Sequence, residues 1–143
     1  MREILYRGKR FDGHGWAYGF YNRLEDEHFI NMHTSVCIDV EANCYENQLI
    51  HHAILPSTVG QHTGLKDKNG VDIYEGDILN DFSGRIMQIF YCEKHCRWGF
   101  NSLNTEPFKC VQVFEWFDDF TKKHNDLPVV IGNIHENQEL LKG

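Results

Sequence analysis

A mainly β protein is predicted for this chain of 143 residues, with an N-terminal antiparallel hairpin region, a C-terminal small β-barrel and a short C-terminal helical turn. Three observations carry that prediction. Short β-branched or aromatic runs recur along the chain, several alternating with period two. The stretch 61–79 places three turn signals, Gly64, Asp67 to Gly70 and Glu75-Gly76-Asp77, around two short apolar runs, as a scaffold corner would. So many short strands also leave edges exposed, and rolling the sheet up would pair them.

The elements follow in order. Ile4, Leu5 and Tyr6 begin a strand, Asp12-Gly13-His14-Gly15 makes a turn, and Trp16 to Tyr21 returns as an aromatic strand. Its alternation puts Trp16, Tyr18 and Phe20 on one face. That stripe is expected to be buried, or else offered to a partner as an interface. Thr34 to Val40 is a period-two strand, Glu41 to Gln48 a polar loop, and Leu49 to Leu55 a short strand or helical turn closed by Pro56, which disfavours the α region at Leu55. A linker there divides the chain into an N-terminal β region, 1–56, and the barrel, 57–143. Asn69-Gly70, flanked by Leu65, Val71 and Ile73, is the dipeptide of a type I′ hairpin turn. Ile78 to Phe82 and Arg85 to Tyr91 are strands joined through Ser83-Gly84, followed by Arg97 to Phe100 and Phe108 to Phe117. Asp118 to Asp126 is charged and reads as helix or loop. Val129 to Ile134 is the last strand, with Gly132 among the structural glycines, and Asn137 caps a final helical turn.

Composition bounds function. At 41% hydrophobic and 13% aromatic residues, the chain is too apolar for disorder, and it has no run of about 18 apolar residues to cross a bilayer. The N-terminus lacks the apolar stretch of a signal peptide, so export is not expected and the protein is placed in the cytoplasm. Five scattered cysteines then read as free thiols. A net charge of -7 opposes general attraction to nucleic-acid phosphates. The local exception, Arg7-Gly8-Lys9-Arg10, is explained more readily by a solvated hairpin, since short basic clusters are ordinary on solvated faces.

Several blocks together resemble the YopX family of small phage and prophage proteins. They are 61–79; Arg2 to Arg10 with Gly15-Trp16-Ala17-Tyr18-Gly19 near the start; and Val130 to Asn137 with Glu139-Leu140-Leu141 near the end. The blocks cover somewhat under half of the chain. Gln138 stands where the family usually has proline, which bears on the rigidity of the last helix start. The resemblance implies an SH3-like form for the C-terminal barrel and an accessory role in a bacterial host cell.

Candidate chemistry is sparse. Cys92-Glu93-Lys94-His95-Cys96 offers zinc ligands at C-x3-C spacing, to be completed by Cys110, His124 or His135. Glutamate and lysine fill the gap where turn residues are usual, so no metal and no cofactor is expected. Asp118-Asp119 and Asp72, Glu75 and Asp77 are candidate carboxylate pairs, yet Glu75 and Asp77 flank a turn glycine, where acids commonly satisfy backbone amides. No Gly-rich phosphate loop, H-E-x-x-H or G-x-S-x-G element is present. Three functions compete: a non-catalytic module binding a host or phage protein and self-associating through Trp16, Tyr18 and Phe20; a zinc enzyme or structural-zinc protein; and a nucleic-acid binder using Arg7 to Arg10. Metal content separates the second from the first, and salt-sensitive retention on a polyanion would mark the third.

Overall fold

The computed structural model describes residues 3–104 and 111–142, with the side chains of 36, 37 and 111 left aside. Two compact units, Met1–Gln61 and His62–Gly143, make up the chain.

The first unit is built from β1 (Tyr6–Lys9), β2 (Trp16–Leu24), β3 (Glu27–Asp39) and β4 (Cys44–Ala53), all antiparallel and adjacent in chain order. After β4, Ile54 bridges back to Arg10. Its core is small: Ala17, Ile30 and Ile54, flanked by Tyr6, Tyr21 and Val59. The predicted alternation of β2 holds, but Ala17 rather than the aromatic stripe faces inward. The reason is space, because a Cβ on neighbouring Gly8 would already lie 2.5 Å from Ile54 Cδ1. The stripe lies on the opposite face, where Tyr18 and Phe20 each remain 48% exposed and the Arg7 guanidinium sits 4.7 Å above the Trp16 ring.

Glu41 to Gln48, expected as a loop, instead contains the turn and the first half of β4. No apolar alternation marks that half, since Cys44 to Leu49 are exposed on both faces, and strand pairing needs only the backbone.

The second unit contains most of β5 (Gly60–Lys66), then β6 (Asp72–Tyr74), β7 (Asp77–Asn80), β8 (Ile86–Cys92), β9 (Arg97–Ser102), β10 (Val111–Gln112), α1 (Val113–His124) and β11 (Val129–Asn133). Five strands form one antiparallel sheet in the order β10-β9-β8-β7-β11. Among the described residues β10 and β11 end that sheet, so it is open where a closed barrel was expected. Helix α1 covers one face. Val113 and Phe117 join Ile73, Leu79, Met87, Ile89, Trp98 and Phe100 in a continuous core.

The helix corrects the strand expected over 108–117. Phe108 to Cys110 lie outside the described residues, and from Val113 onward the apolar period becomes that of a helix, with Val113, Phe117 and Phe120 buried along one face. Phe114 and Trp116 imitate a strand pattern locally, but packing on the sheet decides. The helix ends at Asn125, whose positive φ of 49° and N–H donating to Thr121 O at 2.8 Å form an αL cap. The chain closes with the expected short helical turn, a 3-10 turn over Gln138–Lys142.

Candidate interaction surface

The stretch 61–79 supplies polar residues, and the structure shows what most of them hold. Asp67 is 3% exposed. Its Oδ1 accepts from Asn69 N at 2.8 Å and Val71 N at 2.9 Å, and its Oδ2 accepts from Val130 N at 3.0 Å. Gly70 N donates to Asp67 O at 3.0 Å, so the turn is centred on Lys68-Asn69. Gly70 alone has positive φ, 79°, and Asn69 does not. The type I′ expectation therefore gives way to a type I turn followed by an αL glycine, because the Asp67 carboxylate holds the central Asn69 amide and the Val71 amide beyond the glycine, while Lys68 N donates to Pro128 O at 3.1 Å.

The same turn recurs at Asp81-Phe82-Ser83-Gly84-Arg85. There Asp81 Oδ1 accepts from Ser83 N, Ser83 Oγ and Arg85 N, and Gly84 has φ 83°. Asp77 Oδ2 accepts from Tyr74 N at 2.8 Å. Asn133 Oδ1 accepts from His135 N and Glu136 N, and Asn137 Oδ1 accepts from Asn133 N. Gly64 and Gly76 have φ of 88° and 86°. Gly132, grouped with the turn residues, instead sits in β11 beside a register shift, where a Cβ would lie 2.3 Å from Asn137 Oδ1. The corner is thus a set of backbone clamps.

The cysteine cluster forms a 3-10 turn, Glu93–His95, ending at Cys96 with φ 48°. Cys92 Sγ lies 3.1 Å from His95 Nδ1, while Cys96 Sγ donates to Glu93 O. His124 is elsewhere, its ring tilted against those of Phe82 and Phe120, and Cys110 lies outside the described residues. Among the described residues no three His, Cys, Asp or Glu side chains converge on a metal-sized site. The basic run is split as well: Arg7 is 6% exposed, and Arg10 pairs with Asp12.

Two surfaces were not anticipated. A groove of about 420 Å³ lies between α1 and the Asp81 turn, lined by Phe82, Arg85, Trp116, Asp119, Phe120 and Lys123 among others. Its charges are mixed. The more pronounced feature is an arm. Pairing of β2 with β3 stops at Phe20↔Asn31, whereas β3 and β4 pair from Phe29↔Ala53 to Cys37↔Tyr45. Beyond Asn31 the two strands therefore pair only with each other among the described residues, over a length of about 25 Å at ~3.3 Å per residue. Ile38 is 57%, Val40 85%, Tyr45 59% and Leu49 48% exposed. A Ser35 Oγ–H to Asn47 Oδ1 bond of 2.9 Å ties the strands on the outside.

Two antiparallel β units with polar clamps on their own backbone, and a two-stranded arm with exposed apolar side chains, define a β-scaffold protein with an exposed ribbon. The chain belongs to the YopX family, whose sequence model, described as YopX protein, matches residues 19–142. Its fold is similar to that of protein EF1440 from Enterococcus faecalis, known from a crystal structure, with TM-score 0.52 and 22% identity over 99% of each chain. At that identity the likeness concerns the fold alone. Comparison with curated proteins gave no match. Among the described residues no helix is long and apolar enough to cross a membrane.

Proposed function

We propose that this protein is a non-catalytic interaction module, a phage or prophage accessory protein that binds a macromolecule in the cytoplasm of its bacterial host. The observation that supports this reading is the β3–β4 arm. A two-stranded ribbon is marginally stable by itself, and apolar side chains exposed on it cost solvation unless a partner covers them. Asp67 and Asp77 of the 61–79 corner hold backbone amides, whereas the arm sets exposed Tyr45 and Leu49 along a strand edge that can take a partner.

The test is recovery of a cross-linked partner, identified by mass spectrometry, from host cells carrying the phage, with the full chain and its Tyr45→Ser/Leu49→Ser variant as baits. Both positions are exposed, so the variant should fold. A partner held by the native chain and lost by the variant is the expected result; equal recovery by both would reject the arm as the binding surface.

A further inference from the structure

The charge on the arm specifies what it binds. Residues 24–65 contain no lysine and no arginine, although the chain has 14 of them. The same span carries Glu25, Asp26, Glu27, Asp39, Glu41 and Glu46, and three of these, Asp39, Glu41 and Glu46, lie on the arm. All three are exposed. Asp39 also orders the tip, its Oδ1 accepting from Glu41 N and Ala42 N at 3.0 and 3.1 Å.

The second observation is the edge. Strand β4 ends its sheet, and from Cys44 to His52 its strand pairing is with β3 alone among the described residues. Its outer row of N–H and C=O groups can therefore template another strand. Successive residues of a strand point to opposite faces. Tyr45 and Leu49 thus share one face of β4, and Glu46 and Ile50 the other.

We infer that the arm takes an extended, basic segment of a partner protein, added as a further strand along β4. This rests on the interaction reading above and names its partner class. Main-chain hydrogen bonds to the free edge supply affinity, and side chains of alternate residues supply specificity. The fitting segment alternates lysine or arginine with apolar residues: its basic side chains meet Glu46 and the acids of the tip, and its apolar ones cover Tyr45 and Leu49. Opposite charges directly across a strand pair are favourable and like charges are not. Nucleic acid is disfavoured, because the ribbon offers no lysine or arginine to phosphate. A second copy of this chain is disfavoured too, since its arm brings three more acids and no lysine or arginine.

The probe is a displayed library of random twelve-residue peptides, selected on the immobilised full-length protein and counter-selected on Tyr45→Ser/Leu49→Ser. Expected are arm-dependent peptides in which lysine or arginine alternates with apolar residues. Their affinity, read by fluorescence anisotropy, should fall with added salt and drop roughly tenfold in Asp39→Asn/Glu41→Gln/Glu46→Gln, the order expected for three exposed ion pairs. Asparagine at 39 keeps the oxygen that orders the tip, so the triple variant should retain the fold, and Glu46→Lys alone should repel the same peptides. Arm-dependent peptides without net positive charge would overturn the basic-segment inference while leaving the interaction reading intact. Absence of any arm-dependent selection would overturn both. Binding of a mixed-sequence DNA duplex, or a doubled solution mass that Glu46→Lys abolishes, would assign the arm to nucleic acid or to a second copy and so also refute the inference.

Discussion

Asp67 and Asp81 head the same turn, and replacing each by asparagine separates local from long-range roles of one carboxylate. In both turns Oδ1 takes the local donors, Asn69 N and Val71 N in one, Ser83 N, Ser83 Oγ and Arg85 N in the other. An asparagine amide oxygen keeps these bonds. The difference lies at Oδ2. In Asp67 it receives Val130 N from 63 residues away, and an NH2 group there would set donor against donor in a half-buried site. A buried donor left without an acceptor costs ~1–3 kcal/mol, and bonds to charged groups are at the upper end. In Asp81 the second oxygen lies 3.9 Å from Arg85 Nε, the carboxylate 1% and Arg85 31% exposed, too long for a hydrogen bond and to a residue of the same turn; losing that contact costs roughly 1 kcal/mol. Asp67→Asn should therefore lose roughly 1–2 kcal/mol more than Asp81→Asn, or on the order of 5–15 °C in melting temperature for a unit of this size. Urea unfolding followed by the fluorescence of Trp98 and Trp116, both in this unit, reads the difference. Equal losses, within about 0.5 kcal/mol, the usual error of comparing two sites, would refute the assignment of the Val130 bond as the tie that fastens β11.

Three further outcomes are expected. Gly76→Val forces a β-branched residue to φ 86° with its Cβ 3.3 Å from Ile134 Cγ1, and Gly132→Ala displaces Asn137 from the Asn133 amide; each should cost roughly 1–3 kcal/mol, and an unchanged thermal midpoint would count against the respective clamp. The hydrogen bond from Lys68 Nζ, and after it the Leu127 N–H, hold the Asp126 carboxyl below its usual value. That contribution is present above the unfolded carboxyl's pKa and lost as pH falls through the folded one. Wild type and Asp126→Asn should therefore converge in stability on acidification, and a gap that persists in acid would refute the linkage. Tyr18 and Phe20, half exposed beside the Arg7–Trp16 pair, are expected to support self-association, so light scattering should give a multiple of 16.8 kDa that Phe20→Ala dissociates; a single-chain mass would reject it.

What was legible in the residues was whatever local chemistry determines. Period-two runs located β7, β8, β9 and β11, and glycine with Asx residues located the turns, because both signals arise within a few residues. The family was legible for the same reason: two of the blocks that resemble it, 61–79 and 130–137, carry the clamps Asp67, Asp77, Asn133 and Asn137, whose partners are backbone amides. The tertiary structure decided the rest. Val113 to Phe120 became a helix because an apolar face at helical spacing could cover the core around Phe100, although its first residues alternate like a strand. Trp16, Tyr18 and Phe20 turned outward because Ile54 presses against Gly8 and leaves room only for Ala17. The arm was illegible because strand pairing is satisfied by backbone hydrogen bonds alone: Cys44 to Leu49, exposed on both faces, carry no alternation to betray the strand they form. The missing lysines and arginines of 24–65 were visible in the sequence throughout, and acquired meaning only when β4 proved to be a free edge.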